Sequence, residues 1–157
     1  MKIRLLMVGK TKERFIEEGY GFYRNRIVNY LPFDELVIPA LKNSRNFTPD
    51  EFKIREGELI LKSCREDDFM VLLDERGKAL NSIEFSQFVQ QRMNSGIKTL
   101  TFVIGGAYGF TDEVYKLAKA KISLSPLTFS HQLARIVFME QLYRSMTILR
   151  NEPYHNE

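Results

Sequence analysis

The sequence predicts an α/β fold in which a mostly parallel sheet carries helices on both faces. Short apolar runs, several rich in β-branched residues, alternate along the chain with longer segments whose apolar residues recur every three or four positions. Alternating strand and helix signals are typical of a parallel sheet with crossover helices. A chain of 157 residues is long enough to bury one core, so we expect a single domain over residues 1–157.

The first strand and helix are predicted by residues 3–30. An apolar run over residues 3–8 predicts a buried strand that ends at Gly9. A stripe of apolar and aromatic residues follows at alternating spacings of four and three, which predicts a helix with one face in the core. Gly19 and Gly21 each weaken this helix by roughly 1 kcal/mol relative to alanine, and Pro32 ends it. The stripe consists of Ile16, Tyr20, Tyr23, Ile27 and Tyr30.

The middle of the chain predicts two further strands and a helix. A strand over about residues 35–38 is followed by a polar loop, and Thr48-Pro49 then opens a helix that runs to about Ser63. Residues 69–73 form a short, continuously apolar run, as expected for a central strand covered on both faces. The charged segment 74–78 predicts the turn that follows it.

Three helices and two strands are predicted beyond this turn. A helix beginning at Ser82 leads to a strand over residues 99–104, and a helix opening at Thr111 leads to a brief strand over residues 122–124. The final helix is long and runs over about residues 131–149.

Apolar residues lie on every side of this final helix. A helix on the surface of a monomer normally shows one polar face, so this one should be covered on both sides. We therefore predict a homodimer through the final helix; a central helix in a monomeric core is the alternative. The apolar residues are Leu133, Ile136, Val137, Phe138, Met139, Leu142, Tyr143, Met146, Ile148 and Leu149.

The composition excludes several kinds of site and partner. One cysteine, Cys64, and two histidines, His131 and His155, cannot form an internal disulfide or a Cys/His metal cluster, and nothing suggests a metal held by carboxylates. We therefore expect no metal. No apolar stretch reaches the length of a membrane span or a signal-peptide core, so we expect a cytoplasmic protein without a membrane partner.

The positive charge of the chain is concentrated near its start. The net charge is +3, which permits an anionic partner without requiring one. Residues 1–26 contain seven basic residues against three acidic ones. A solvated helix face explains any one of these residues, whereas the cluster as a whole fits contact with phosphate.

Three predicted strand ends form a candidate ligand site. In parallel sheets the ligand crevice lies beyond the carboxyl ends of the strands. Leu73 ends one strand, Gly105-Gly106 follow the next, and residues 124–129 follow the last. Glycines let a backbone pass close to a ligand, although Gly-Gly-x-x-Gly also fits a simple tight turn. If the glycines let the backbone approach a ligand, Gly105→Val should abolish ligand binding and leave the protein folded.

Several motifs, in order along the chain, resemble one family. The motifs are Phe102–Gly109, Leu124–Gln132, Glu140–Arg144 and Pro153-Tyr154-His155. They are similar to those of the ribosomal RNA large subunit methyltransferase H family of the SPOUT class. The resemblance implies a SPOUT-type α/β knot, which is a deep trefoil knot on the C-terminal side, in a homodimer. Periodicity and spacing alone give no ground for a knot.

The family resemblance implies a reaction and a cofactor. The reaction is methylation of N3 of a pseudouridine in 23S ribosomal RNA, on the assembled ribosome. The methyl donor is S-adenosyl-L-methionine, and no metal takes part. The residues implied to surround this cofactor are Leu73, Gly105, Gly106, Leu124, Ser125, Pro126, Leu127, Thr128 and Phe129.

Four residues are candidates for catalysis. The N3 proton must leave before N3 attacks the methyl group, which requires a base or a path to solvent. His155 could accept this proton or position the uracil edge, and Tyr154 could stack on the base; a frayed terminus without a role is the alternative. His131 is either a catalytic residue or a hydrogen-bonded residue of the core. Arg144 either pairs with Glu140, which we favour, or projects toward RNA.

Three further expectations concern single residues. Arg135, like Arg144, either pairs with an acidic residue or projects toward RNA. Cys64 is expected to be a small buried hydrophobic residue and not a nucleophile. In the resembling family the Tyr-His pair is commonly followed by a basic residue, whereas Asn156 follows it here, which weakens the case for phosphate contact by the tail.

Two other functions compete with this assignment. One is a SPOUT methyltransferase that acts on tRNA, against which stands the absence of an appended RNA-binding segment. The other is a noncatalytic RNA- or nucleotide-binding α/β module, for which the basic N-terminal region and the glycine loop would serve equally well. Micromolar binding of S-adenosylmethionine or of its demethylated product favours the enzyme, whereas affinity for RNA alone favours the module.

Overall fold

A computed structural model describes residues 1–156, which form one five-stranded parallel sheet with helices on both faces. The strand order is β2-β1-β4-β3-β5, so the predicted α/β fold with a parallel sheet is confirmed. The strands are β1 (Lys2–Val8), β2 (Phe33–Ile38), β3 (Phe69–Ala79), β4 (Thr99–Ile104) and β5 (Ala120–Ser123). The helices are α1 (Arg14–Ile27), α2 (Pro49–Ser63), α3 (Ser82–Asn94), α4 (Asp112–Leu117) and α5 (His131–Leu149), with a 3-10 turn over Ser44–Asn46.

The helices form two layers with a core on each face of the sheet. Helix α5 packs between α1 and α3, and α2 packs against α4. Neighbouring residues of β4 serve the two cores alternately, because successive side chains of a strand point to opposite faces. Phe102 contacts Phe138 of α5 with ring centroids 4.8 Å apart, and Val103 belongs to the core under α2 and α4.

The helix boundaries follow local capping signals. The Thr48 side chain accepts a hydrogen bond from the Glu51 N–H while Glu51 bonds back to the Thr48 N–H, so α2 begins where the sequence predicts. The Ser130 hydroxyl caps α5 by accepting a hydrogen bond from the Leu133 N–H at 3.1 Å, without a reciprocal bond. Helix α1 ends at Ile27, before the predicted end, and Tyr30 lies in the turn that follows.

The predicted turn at residues 74–78 is wrong. Strand β3 continues to Ala79, and Ile122 of β5 is in register with both Leu73 and Lys78. The chain between these two positions therefore crosses β5. The crossing is close, because a Cβ atom on Gly77 would lie 2.6 Å from the backbone N and C atoms of Ile122. A threaded chain needs such a crossing, and the trefoil knot itself stays a prediction.

Residues 1–156 contain neither a helix that could span a membrane nor a cluster of side chains that could hold a metal ion. No helix in this range combines the length and the apolar character needed to cross a membrane. No group of three or more His, Cys, Asp or Glu side chains within the same range is arranged to hold a metal ion.

Candidate active site

A cavity of about 570 Å³ opens beside residues 73–76 of β3 and beyond the carboxyl ends of β4 and β5. Its volume lies in the range of small-molecule sites. Of the nine residues expected to contact a cofactor, Pro126 alone is absent from its lining. The other eight line it: Leu73, Gly105, Gly106, Leu124, Ser125, Leu127, Thr128 and Phe129.

Side-chain hydrogen bonds fix the loop after β5 and tie it to β3. Within the loop, the Ser123 hydroxyl donates to the Ser125 carbonyl at 2.9 Å, and the Ser125 hydroxyl accepts from the Leu127 N–H at 2.9 Å. The Thr128 hydroxyl donates to Glu75 Oε2 of β3 at 3.1 Å. Two of the three strand ends that line the cavity are therefore joined directly.

Neighbouring protein groups leave no space for a side chain at Gly105 or Gly106. A Cβ atom on Gly105 would lie 2.9 Å from the Phe110 ring, which is 6% exposed, and one on Gly106 would collide with the Glu56 carboxylate. A valine at this position would have to displace the Phe110 ring, so we expect Gly105→Val to lower stability as well as ligand binding.

The cavity wall carries several charged groups. Asp74, Glu75, Arg76 and Lys53 line it together with Tyr115. The Tyr115 hydroxyl donates to Asp74 Oδ2, and burial together with this bond raises the pKa of Tyr115 to about 12. Asp74 Oδ1 also accepts from the Arg76 N–H at 2.8 Å. These bonds hold Asp74 in place on the wall.

His131 lies at the first position of α5 and lines the cavity. The alternative that placed it in the core is wrong, because the residue is exposed. Partial burial lowers its pKa, and the positive charges of Arg135 and Lys12 lower it further. The imidazole is therefore neutral at neutral pH and can accept a proton.

Arg144, Tyr154 and His155 form a second cluster near the other end of α5. Arg144 Nε donates to Glu140 Oε1 at 3.0 Å, which confirms the favoured pairing. Arg144 Nη1 lies 3.3 Å from His155 Nδ1, and its guanidinium lies 4.6 Å from the centre of the Tyr154 ring. The Tyr154 hydroxyl donates to Glu140 Oε1 at 3.2 Å. Tyr154 and His155 are thus held against α5 by contacts with Glu140 and Arg144.

The structure does not bring these two groups of residues together within one chain. None of Arg144, Tyr154 and His155 lines the cavity. Arg144 follows His131 by 13 positions of α5, which is about 20 Å along the helix axis. A site that uses both groups therefore needs a second copy of the chain or a movement of this one.

Both alternatives for Arg135 are wrong. The side chain is 0% exposed, so it does not project toward RNA, and no carboxylate within residues 1–156 pairs with it. It donates to the carbonyl oxygens of Val8 and Gly9 at 2.8 and 2.7 Å, and to the Thr11 hydroxyl at 2.8 Å. The sequence pattern could not identify these partners, because two of them are main-chain atoms more than 120 residues away.

Cys64 has no place in the cavity lining. Burial raises its pKa to about 11, so the thiol stays protonated at neutral pH. The residue is partly buried, with its sulfur 3.5 Å from the Met70 sulfur.

Comparison with known proteins places the chain in a family. The family model described as "Predicted SPOUT methyltransferase" matches residues 1–155. A protein of Parabacteroides distasonis is 50% identical over 157 residues, which is 100% of both chains, and one of Christiangramia forsetii is 51% identical over 99% of both. One of Flavobacterium johnsoniae is 49% identical over 100% of both. All three are named ribosomal RNA large subunit methyltransferase H. The chain therefore belongs to the SPOUT methyltransferases, in the ribosomal RNA large subunit methyltransferase H family.

Proposed function

We propose that this protein transfers a methyl group from S-adenosyl-L-methionine to N3 of a pseudouridine in 23S ribosomal RNA, on the assembled ribosome in the cytoplasm. The observation that carries the proposal is the cavity built from the ends of β3, β4 and β5. It lies in a chain about half identical, over its full length, to proteins named for ribosomal RNA methylation. The position of the methyl group rests on the family resemblance.

The cavity fits the shape and charge of this cofactor. Leu73, Leu124 and Phe129 supply apolar surface for the adenine, as most ligand pockets do. When bound, S-adenosylmethionine supplies an electrophilic methyl group on a positively charged sulfur. The carboxylates of Asp74 and Glu75 on the wall match this positive charge and that of the amino group.

We infer different roles for the two histidines. Arginine is always a donor, so its contact with His155 Nδ1 leaves the hydrogen of a neutral His155 ring on Nε2. His155 therefore donates a hydrogen bond to a uracil carbonyl oxygen, where negative charge develops as N3 loses its proton. His131 is the group in the cavity that accepts the proton, because its lowered pKa keeps it neutral.

We also propose that the active form is a homodimer in which the tail of one protomer reaches the cavity of its partner. Leu127 is 74% exposed and Leu133 is 37% exposed, so apolar surface faces solvent at the cavity end of α5. If a two-fold axis relates two antiparallel α5 helices, the Arg144 end of each helix lies beside the partner's His131 end. Two sites would form, each complete only in the dimer.

Methyl transfer to ribosomes tests the function directly. Ribosomes from a strain without this modification are incubated with the protein and S-adenosylmethionine carrying a labelled methyl group, and the labelled nucleotide is mapped. We expect one methyl group per large subunit, on N3 of a single pseudouridine. Absence of transfer while the cofactor binds normally contradicts the substrate assignment. Labelling of tRNA instead would favour the tRNA alternative, and RNA binding without cofactor binding would favour the noncatalytic module.

A further inference from the structure

The loop between β1 and α1, residues 9–13, is held against α5 by two side chains. Arg135 binds the carbonyl of Gly9 and the hydroxyl of Thr11. Gln132 accepts a hydrogen bond from the Lys12 N–H at 3.2 Å and donates to the Lys10 carbonyl at 3.1 Å. The main chain on both sides of Thr11 is therefore fixed to the helix that begins at the cavity.

Arg135 leaves a positive charge uncompensated beneath this loop. Its guanidinium is fully buried, is bonded to neutral oxygens, and has no partner for Nε. A buried charge without a counterion is costly. The charge raises the positive potential of the loop above it.

Lys10 and Lys12 carry the free positive charge of the loop. Both are exposed, and neither forms a salt bridge with any residue in the range 1–156. The Lys12 N–H donates to Gln132, which is next in the chain to His131 of the cavity lining, so the loop lies beside the cavity. Four of the other five bases in residues 1–26 do have acidic partners: Lys2 and Arg4 pair with Asp34, Arg14 with Glu18 and Arg24 with Glu35. The fifth, Arg26, lies over the Phe22 ring and donates to the Phe22 carbonyl.

We propose that the loop of residues 9–13 is a phosphate-binding element that holds the RNA backbone beside the target nucleotide. Lys10 and Lys12 contact phosphate, and Arg135 and Gln132 are positioning residues that act through the loop. The inference rests on the proposed function, because it takes RNA as the substrate. Fixing the main chain of the loop in advance lowers the entropy lost when RNA binds.

The salt dependence of binding tests the lysines. The variant Lys10→Ala/Lys12→Ala is compared with Lys62→Ala/Lys116→Ala, which removes the same charge from exposed positions of α2 and α4 on the other face of the sheet. Affinity for large ribosomal subunits is measured at several salt concentrations. We expect the slope of log K against log salt to fall by about 1.5 in the loop variant, from two phosphate contacts, and to change little in the control.

Cofactor binding separates the two anions within reach of the loop. The RNA phosphate is the occupant proposed here, and the carboxylate of S-adenosylmethionine is the other. We expect calorimetry to give the same cofactor affinity for the loop variant and the wild type. Equal slopes in the loop and control variants would overturn the proposal, as would a loss of cofactor affinity with an unchanged slope. The slope of log K against log salt is measured by binding alone, without methyl transfer. A failure of the proposed reaction can therefore be distinguished from a failure of this inference.

A double-mutant cycle tests the positioning role of Gln132. We expect Gln132→Ala to lower affinity for large subunits several-fold and to raise KM, while kcat at saturating substrate is unchanged. If Gln132 acts through the two lysines, this loss disappears in the Lys10→Ala/Lys12→Ala background. The same loss in both backgrounds would show that Gln132 does not act through the loop.

Discussion

The two histidines of the chain acquire different chemistry from their neighbours. His131 borders the cavity, where partial burial and then the cations Arg135 and Lys12 disfavour its charged form, whereas His155 Nδ1 lies 3.3 Å from Arg144 Nη1. The residue type alone made either histidine a candidate base. The positions of Arg135, Lys12 and Arg144 are the basis on which we propose one as the proton acceptor and the other as a hydrogen-bond donor.

The effect of Lys12 on the pKa of His131 can be tested by substitution. Since Lys12 contributes to lowering this pKa, Lys12→Ala removes a positive charge that disfavours the imidazolium and should raise the pKa toward its ordinary value. The acid limb of kcat, measured at saturating substrate, should therefore move to higher pH. A titration of the His131 ring by NMR measures the same shift directly. Lys116→Ala serves as the control, and an unchanged His131 titration in Lys12→Ala would contradict the account.

Among the elements, β3 differs most from its prediction. The segment after Leu73 is polar and contains a glycine, which are the local features of a turn. In the structure the same residues cross β5, and Gly77 fits there because the Ile122 backbone leaves no room for a side chain. Its partner lies 45 positions further along the chain, so no local pattern could identify the crossing.

Substitution of glycines tests this crossing. Gly77→Ala places a methyl group against backbone atoms that cannot move aside, and we expect the free energy of unfolding to fall by about 3 kcal/mol. Gly21→Ala is the matched control, because its Cβ would meet nothing within 4 Å in helix α1; we expect a gain of about 1 kcal/mol. Both are measured by urea unfolding at one protein concentration. A midpoint for Gly77→Ala equal to that of the wild type would refute the close crossing.

Helix boundaries were predictable where a capping residue marks them. Thr48-Pro49 places the start of α2 correctly, because a cap acts on N–H groups within three residues of itself. The role of Arg135 was not predictable. Its partners in β1 and the following loop become neighbours only when α5 packs beside α1.

At the scale of the whole molecule, the alternation of strands and helices was enough to locate the cavity. Parallel strands place their carboxyl ends at one edge, so Leu73, Gly105 and Leu124 were expected to share a ligand. Helix α5 spans the distance between the cavity and the Arg144 cluster, because His131 and Arg144 lie 13 positions apart along it. The proposed mechanism bridges this distance with a second protomer.

Mixing two inactive variants tests the composite site most directly. His155→Ala removes the tail donor and keeps the cavity, whereas Thr128→Trp fills the cavity at an exposed lining position and keeps the tail. Each variant is first shown to be folded, dimeric and inactive with ribosomes that the wild type methylates. The two are then mixed and allowed to exchange subunits.

A mixed dimer contains one intact cavity and one intact tail, and they lie on different protomers. They form a complete site only if the tail of one protomer acts on the cavity of its partner. Half of the dimers in an equal mixture are mixed, and each has one of its two sites complete, so we predict that methyl transfer recovers to about a quarter of the wild-type rate. A mixture no more active than either variant alone would contradict the composite site.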